Sequence, residues 1–200
     1  MDLKFQNKFS RKFLIFCALW AFLWLCFSYY FLQNFLFMYP EMFSARIRFD
    51  LCVLIFGILG IVVSKDTLST ICGYFLWFYG AVGGLFCAKN LASIHSALRG
   101  DSDMAGIMNC AGVNKFAGYD LNQISLFKAY NSCAFDIPSV PQNVELSEFR
   151  SNLINAYNEG WYLFADQKML NLPLLWLIVF GFFLIVFIFG VGLGFIGRRG

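Results

Sequence analysis

The sequence predicts an all-α membrane protein: a four-transmembrane-helix bundle with a long second extracytoplasmic loop. Three observations lead there. Apolar residues make up 60% of the 200-residue chain and charged residues only 14%, against roughly 45–50% and about 25% in soluble domains. Such a chain has too few polar groups to cover itself in water and must use lipid as solvent. The apolar residues also gather into runs, giving spans at about 13–37, 45–63, 68–88 and 172–196. Finally, one polar stretch, about 89–171, separates the last two runs. The whole chain, 1–200, is expected to form a single membrane domain.

The first run follows a basic cluster of Lys4, Lys8, Arg11 and Lys12. It exceeds the 7–15 apolar residues of a signal peptide and no small-x-small cleavage site follows, so it is read as a retained anchor. The second run, Leu51 to Val63, has only 13 residues, about 20 Å of helix against a hydrocarbon core of about 30 Å. It spans only if its helix begins near Ser44. That places Arg46, Arg48 and Asp50 in the first two turns, where arginines either snorkel to headgroups or hold a polar ligand at the membrane surface. In the third run Gly80, Gly83 and Gly84 permit close helix approach. The fourth carries Pro173 in its first turn, where a missing N–H costs little, and Gly190, Gly192 and Gly194 mark a packing face.

Positive charge orients the bundle. The basic N-terminal cluster, Lys65 between spans two and three, and Arg198 and Arg199 after span four share one side when the number of spans is even. That side is the cytoplasm, with both termini in it. The 39–48 turn and the 89–171 loop then face outward. The loop has six basic and eight acidic residues, and long segments of this kind translocate with little regard to charge. A net charge of +3 without a basic stripe gives no reason to expect nucleic acid; membrane lipid is the expected surround.

Within the loop, 93–98 continues span three as a short helix and carries the only histidine, His95. A proton shuttle or quinone ligand is the functional reading of His95. With no second histidine or carboxylate cluster nearby, an exposed polar residue is preferred. Residues 145–164 have helical spacing, with Phe149, Leu153, Ala156, Tyr157, Trp161 and Phe164 on one face, fitting a helix on the membrane surface anchored by Trp161 and Tyr162.

The chain has no phosphate-binding glycine loop, no Ser-His-Asp set and no metal-ligand cluster, so no metal is expected. Of seven cysteines, five (17, 26, 52, 72 and 87) lie in apolar runs, where cysteine behaves as a small hydrophobe. Cys110 and Cys133 alone lie in polar sequence. In an oxidising compartment they are natural disulfide partners. As a staple the bond would stabilise the loop by roughly 3 kcal/mol in the chain-entropy model. As a redox pair it would exchange with a soluble thiol through a mixed disulfide. The surrounding residues leave both open.

The layout resembles the DsbB/DsbI family of membrane disulfide-bond-formation proteins over about residues 13–137 and 161–196. The resemblance rests on the short first and long second outer loops, on Pro40 followed by Glu41-Met42-Phe43-Ser44 with Arg48 four residues on, on Trp77-Phe78-Tyr79-Gly80-Ala81 in span three, on Cys110 and Cys133 in the long loop, and on Trp161, Met169 and Pro173 before span four. It implies a protein-disulfide oxidoreductase linked to quinone in a bacterial inner membrane. Cys110 and Cys133 would be the catalytic pair facing a thioredoxin-like periplasmic thiol oxidase, and Arg48, helped by Arg46, would sit by the quinone. One departure matters. Glu41 and Ser44 stand where the family has CxxC, and neither side chain can exchange disulfides. Cys52 and Cys87 differ in depth by about 8 Å along the membrane normal, which makes them poor substitutes. The relay is therefore expected to be incomplete in this chain or completed by another. The alternative is a non-catalytic four-helix scaffold whose stapled loop binds a partner. A tetraspanin-like organiser ranks last, because the loop lacks a paired Cys-Gly signature.

Overall fold

The computed structural model describes residues 11–98, 114–130, 139–158 and 171–196. Helix α1 (Arg11–Cys26) continues without a break into a π-helical segment, Phe27–Phe35. Then follow α2 (Met42–Val63), α3 (Thr67–Leu98), a minimal hairpin of β1 (Lys115–Phe116) and β2 (Tyr119–Asp120), α4 (Glu148–Asn158) and α5 (Leu172–Ile196). Among the described residues, three helices are long and apolar enough to cross a membrane: Arg11–Phe35, Thr67–Ala97 and Leu172–Gly190. The protein is thus an all-α membrane protein by architecture. Helix α2 has 22 residues, about 33 Å at 1.5 Å per residue. Arg46, Arg48 and Asp50 near its start set it apart from the other three in composition.

Helices α2, α3 and α5 begin where a polar side chain satisfies a free N–H group. Glu41 caps α2, its Oε1 accepting the Ser44 N–H at 2.7 Å. Asp66 accepts from Ser69 N at 2.8 Å before α3, and Asn171 from Leu174 N at 3.0 Å before α5. These are N-cap bonds, which shift a helix start toward Ser, Thr, Asp and Asn positions. The Asp66 carboxyl is held below its ordinary range by the Ser69 backbone N–H.

Packing follows small residues and aromatic rings. Gly57 of α2 lies against the backbone of α3 at Trp77 and Gly73, and a Cβ on Gly80 would come within 2.6 Å of the Asp50 carbonyl. Backbone-to-backbone approach of this kind requires glycine. Gly84 is covered by the Phe180 ring of α5. Trp24 of α1 meets Trp176 of α5 edge-on at 5.7 Å, and Phe187 of α5 stands against Trp77 at 5.7 Å. The buried core, with Leu14, Leu51, Leu54, Ile58, Trp77, Trp176, Phe180 and Phe183, is continuous through all four long helices. The opposite faces are just as apolar: Phe56 and Phe75 are both 67% exposed. Helices apolar on every side need lipid around them.

Three of the expected spans fall on the helices long and apolar enough to cross a membrane, and α2 starts within two residues of Ser44. Helix α3 runs on to Leu98, as expected for 93–98. His95 is a correction. It is 3% exposed rather than a surface group, because Trp77, Ala81, Ala88, Leu91 and His95 continue one buried stripe at spacings of three, four and seven. Residues 121–130 hold two short 3-10 turns, Leu121–Gln123 and Ser125–Phe127. Helix α4 covers the middle of the 145–164 pattern. Trp161, Tyr162 and Phe164, together with Cys110 and Cys133, lie outside the described residues.

Candidate functional site

One end of the bundle is built from the first two and a half turns of α2. There, beside buried Phe43, Ala45 and Ile47, the polar Glu41, Ser44, Arg46, Arg48 and Asp50 are buried as well. Arginines at this height are expected to reach for water. Here both turn inward, because neighbouring segments bring acceptors to them.

Arg48 is 1% exposed. Its Nε donates to Ser28 Oγ and its Nη2 to the Ser28 carbonyl, both at 2.9 Å. Nη1 donates to Gln33 Oε1 and, at 3.4 Å, to the Leu126 carbonyl. The π-helical segment makes this possible. On an α-helix, residues five apart point about 140° away from one another. The wider π turn aligns positions i and i+5, so Ser28 and Gln33 reach one guanidinium.

Arg46 is 8% exposed. Its Nε pairs with Asp50 Oδ1 at 3.3 Å, one turn along α2. Nη1 donates to the Lys115 carbonyl at 2.8 Å and Nη2 to the Tyr79 hydroxyl at 2.7 Å. The guanidinium carbon stands 4.7 Å from the centre of the Phe49 ring and 5.8 Å from that of Phe116. Asp50 is fully buried, and its Oδ2 accepts from the Cys87 thiol at 3.7 Å. Cys17, Cys26, Cys52, Cys72 and Cys87 are all free thiols.

The segment 114–130 sits over these arginines. Its hairpin turns on Ala117 (φ 48°) and Gly118 (φ 83°), the two left-handed positions of a two-residue hairpin loop. Asn114 knots the segment together, its Nδ2 donating to Asn122 Oδ1 and to the Phe127 carbonyl at 2.8 Å each. Contacts that fasten it to the bundle include the Arg46 and Arg48 bonds to its carbonyls, Phe127 edge-on to Phe49 at 5.5 Å, Phe116 against Phe49 and Tyr79, and Tyr130 N donating to the Pro40 carbonyl at 2.9 Å. The Tyr39 and Tyr130 rings lie tilted beside the last of these, 4.8 Å apart. Further along, Ser139 N donates to the Phe37 carbonyl at 3.0 Å. Arg150 of α4 covers the end of the π segment, donating to the Phe35 and Asn34 carbonyls with its guanidinium 4.1 Å over the Phe37 ring.

The structure therefore brings Arg46 and Arg48 to one place, as the sequence spacing implies, but on opposite sides of α2. Sequence reasoning missed Asp50, Tyr79, Ser28 and Gln33 as their partners. Asp50 was legible as the i+4 neighbour of Arg46; the Ser28–Gln33 pairing was not, since it depends on a π-helix. At positions 41 and 44 a helix cap occupies the place of a thiol pair. Cys110 and Cys133 lie outside the described residues. Among the described residues no three metal-type ligands converge.

Comparison with known proteins identifies relatives of one kind. The chain is 33% identical over 144 residues, 70% of its length, to a protein-disulfide oxidoreductase named DsbI of Campylobacter fetus subsp. fetus. It is 29% identical over 169 residues to the DsbI of Campylobacter jejuni subsp. jejuni, 78% of this chain. It is 28% identical over 166 residues to that of Escherichia coli O1:K1, covering 79% of this chain and 74% of the relative. The alignments span 66% and 63% of the two Campylobacter relatives, slightly less than two thirds of their own length. No family model and no solved structure matches the chain.

Proposed function

Because the chain is a multi-pass membrane protein of the DsbB/DsbI family, we propose that it acts in disulfide-bond formation at the outer face of a bacterial inner membrane. In this reading α2 is a fourth span, both termini are cytoplasmic, and the 114–130 segment faces the periplasm. Cys110 and Cys133 form the exchanging disulfide. A thiolate of a reduced thioredoxin-like partner attacks one sulfur of that bond, giving a mixed disulfide and one free thiol on the loop. The partner's second thiolate then resolves the mixed bond. The partner leaves oxidised and the loop is left as a dithiol, so two electrons and two protons have moved from partner to loop.

The observation that carries this reading is the docking of the segment between the two cysteines. Tyr130 N to Pro40 O, the Tyr39–Tyr130 contact and the two arginine bonds hold it beside the 39–44 turn, where the family has its inner thiol pair. A loop fastened by noncovalent contacts has less need of its disulfide as a staple, which leaves that bond available for exchange.

A bound quinone would supply the two-electron, two-proton sink. The residues present fit such a group: Arg46 is a buried cation whose fork retains N–H groups with no bond among the described residues, and aromatic rings flank it. Arg48 lies two residues further along α2, about 3 Å along its axis and on its opposite side. What the chain does not carry is a thiol between loop and acceptor. Glu41 and Ser44 cap a helix instead. That cap favours the second reading, a non-catalytic scaffold with a stapled, partner-binding loop.

A purified full chain mixed with a reduced thioredoxin-fold dithiol and decylubiquinone or menadione separates the two. Turnover that is lost in Cys110→Ser and Cys133→Ser supports the oxidoreductase. No turnover, no mixed disulfide trapped with Cys133→Ala, and a loop pair still oxidised in quinone-free cells support the scaffold. Turnover should rise when Glu41→Cys and Ser44→Cys are combined; no rise would count against the equivalence of 41–44 with the family's thiol pair.

A further inference from the structure

The first long helix ends on a residue poorly suited to the task. Leu36 closes the π segment, its N–H donating to the Phe31 carbonyl, and Phe37 follows at φ 55°. Helices commonly end on such a left-handed residue, but it is usually glycine, because a Cβ crowds the backbone there. A bulky aromatic residue in that region is strained and stays there only when its surroundings hold it.

Arg150 of α4 supplies the hold. Its Nε donates to the Phe35 carbonyl and its Nη2 to that of Asn34. Its guanidinium carbon lies 4.1 Å from the centre of the Phe37 ring and 4.9 Å from that of Phe35. Carbonyls at a helix end lack donors in their own helix and carry the negative pole of its dipole, so a cation is favoured beside them. The face that presents Arg150 is itself anchored. Ile154, one turn on, is buried, and Leu146 and Leu153 pack against the core. An arginine that only reached for lipid phosphate would not turn its fork to two backbone carbonyls and lie over two rings.

Beyond Phe37 the turn is a seat for the long loop. The Phe37 carbonyl accepts from Ser139 N at 3.0 Å and the Pro40 carbonyl from Tyr130 N at 2.9 Å. Tyr130 and Ser139 flank Cys133 in the sequence, yet they bond to the carbonyls of one short turn. The direction of those carbonyls is set at Phe37. A return of its φ to the negative range redirects the chain that follows and draws Glu41 away from the Ser44 N–H that it caps.

We propose that α4 is a latch on this turn, and that Arg150 is the positioning residue that keeps Phe37 left-handed and the loop seated through Tyr130 and Ser139. With the latch closed, the loop is held to the bundle on either side of Cys133 in sequence. With it open, the turn relaxes and both amides lose their acceptors. The latch needs no redox chemistry; its effect on thiol exchange rests on the reading given above.

The test is amide hydrogen exchange of the full chain in lipid nanodiscs, compared among Arg150→Ala, Arg150→Lys, Phe37→Gly and the Phe37→Gly, Arg150→Ala double variant. Arg150→Ala should speed exchange at Tyr130, Ser139 and Ser44 together by about tenfold or more, while Ser69 and Leu174 stay within about twofold. Arg150→Lys should recover only part of the protection, since an ammonium lacks the planar fork. Phe37→Gly removes the strain that the latch opposes. The double variant should therefore exchange within about threefold of the unaltered chain. Exchange at Tyr130 and Ser139 unchanged in Arg150→Ala, or as fast in the double variant as in Arg150→Ala alone, overturns the latch. Equal acceleration at Ser69 and Leu174 would mark a general loss of stability and overturn it too. The positioning role is read in the second-order rate at which the oxidised chain forms a mixed disulfide with a thioredoxin-fold protein carrying a single active-site thiol. Arg150→Ala should slow that step about threefold or more, through loss of a fixed loop orientation, and the double variant should restore it. An unchanged or faster rate in Arg150→Ala overturns the positioning role. If the unaltered chain forms no mixed disulfide, the exchange reading and the positioning role fall together, while hydrogen exchange still decides the latch.

Discussion

The two halves of α2 are made of different material. From Glu41 to Asp50 it buries a carboxylate cap on the Ser44 N–H, together with two arginines and an aspartate that bond to the π segment, α3 and the loop. From Leu51 to Val63 it buries Leu51, Leu54, Gly57, Ile58 and Ile61 against the α3 backbone, with no charged side chain. The Leu51–Val63 half packs by shape and tolerates no added atom at Gly57. The outer half is held by directed polar bonds whose loss leaves groups unsatisfied. The difference separates a rigid base from a polar head, and the chemistry belongs to the head.

Substitutions test that division, and the largest effect should come from the head. Asp50→Ala strands a buried Arg46, and breaking a buried ion pair costs about 3–5 kcal/mol; unfolding of the purified chain in graded SDS should report it. A loss under about 1 kcal/mol would mean that water reaches Arg46 freely. In the base, Gly57→Ala drives a methyl group into the α3 backbone, with an expected cost of about 1–3 kcal/mol. The same titration measures it, and quinone binding below the transition should be unchanged, since Gly57 lies about 16 Å along α2 from Arg46. Smaller again is Glu41→Ala, which removes an N-cap worth about 1 kcal/mol; the exchange of the Ser44 amide hydrogen should accelerate while amides near Ile58 stay protected.

The smallest effect lies at the α2–α3 turn. Asp66 has a carboxyl pKa lowered from 3.8 by the Ser69 N–H. A folded-state pKa below the unfolded one gives stability that is present above about pH 3.8. It is lost as pH falls through the lowered value. The thermal midpoint of the unaltered chain should drop slightly on acidification in that window. In Asp66→Ala this component of the drop should be absent.

The three long apolar helices were legible because hydropathy over twenty residues depends on little else. The start of α2 near Ser44 was legible because 13 apolar residues are too few for a span, so the helix had to recruit 42–50. The polar head was legible only in its members. Arg46 and Arg48 stood out as charges in a span, but which acceptors they found depends on groups 15 to 78 positions away in sequence. The π segment carries no compositional mark: FSYYFLQNF has ordinary helical residues, and its wider turn is stabilised by Arg48 from another helix. His95 was misjudged for a simpler reason. Judged alone it is a polar residue in a polar loop; judged with Leu91 and Ala88 it continues a buried stripe. The loop segment 114–130 showed its turn formers but not its docking, which is tertiary. The fate of the two cysteines depends on that docking.

The glycine contacts between α2 and α3 have a consequence for how the chain enters the membrane. Helix α2 is disfavoured by lipid on its own, because arginine and aspartate near the middle of a span each oppose insertion by about 2.5–3.5 kcal/mol, and less toward the ends. Only residues 64–66 separate it from α3, and the seam through Gly57, Gly73 and Gly80 allows the two to close while both are still short of their final neighbours. Asp50 meets Cys87, and Arg46 meets Tyr79, across that same seam. A span formed by α2 would therefore enter lipid at least cost as a helical hairpin with α3, already carrying the Arg46–Tyr79 and Asp50–Cys87 bonds, whereas the bonds of Arg48 need the π segment and the loop.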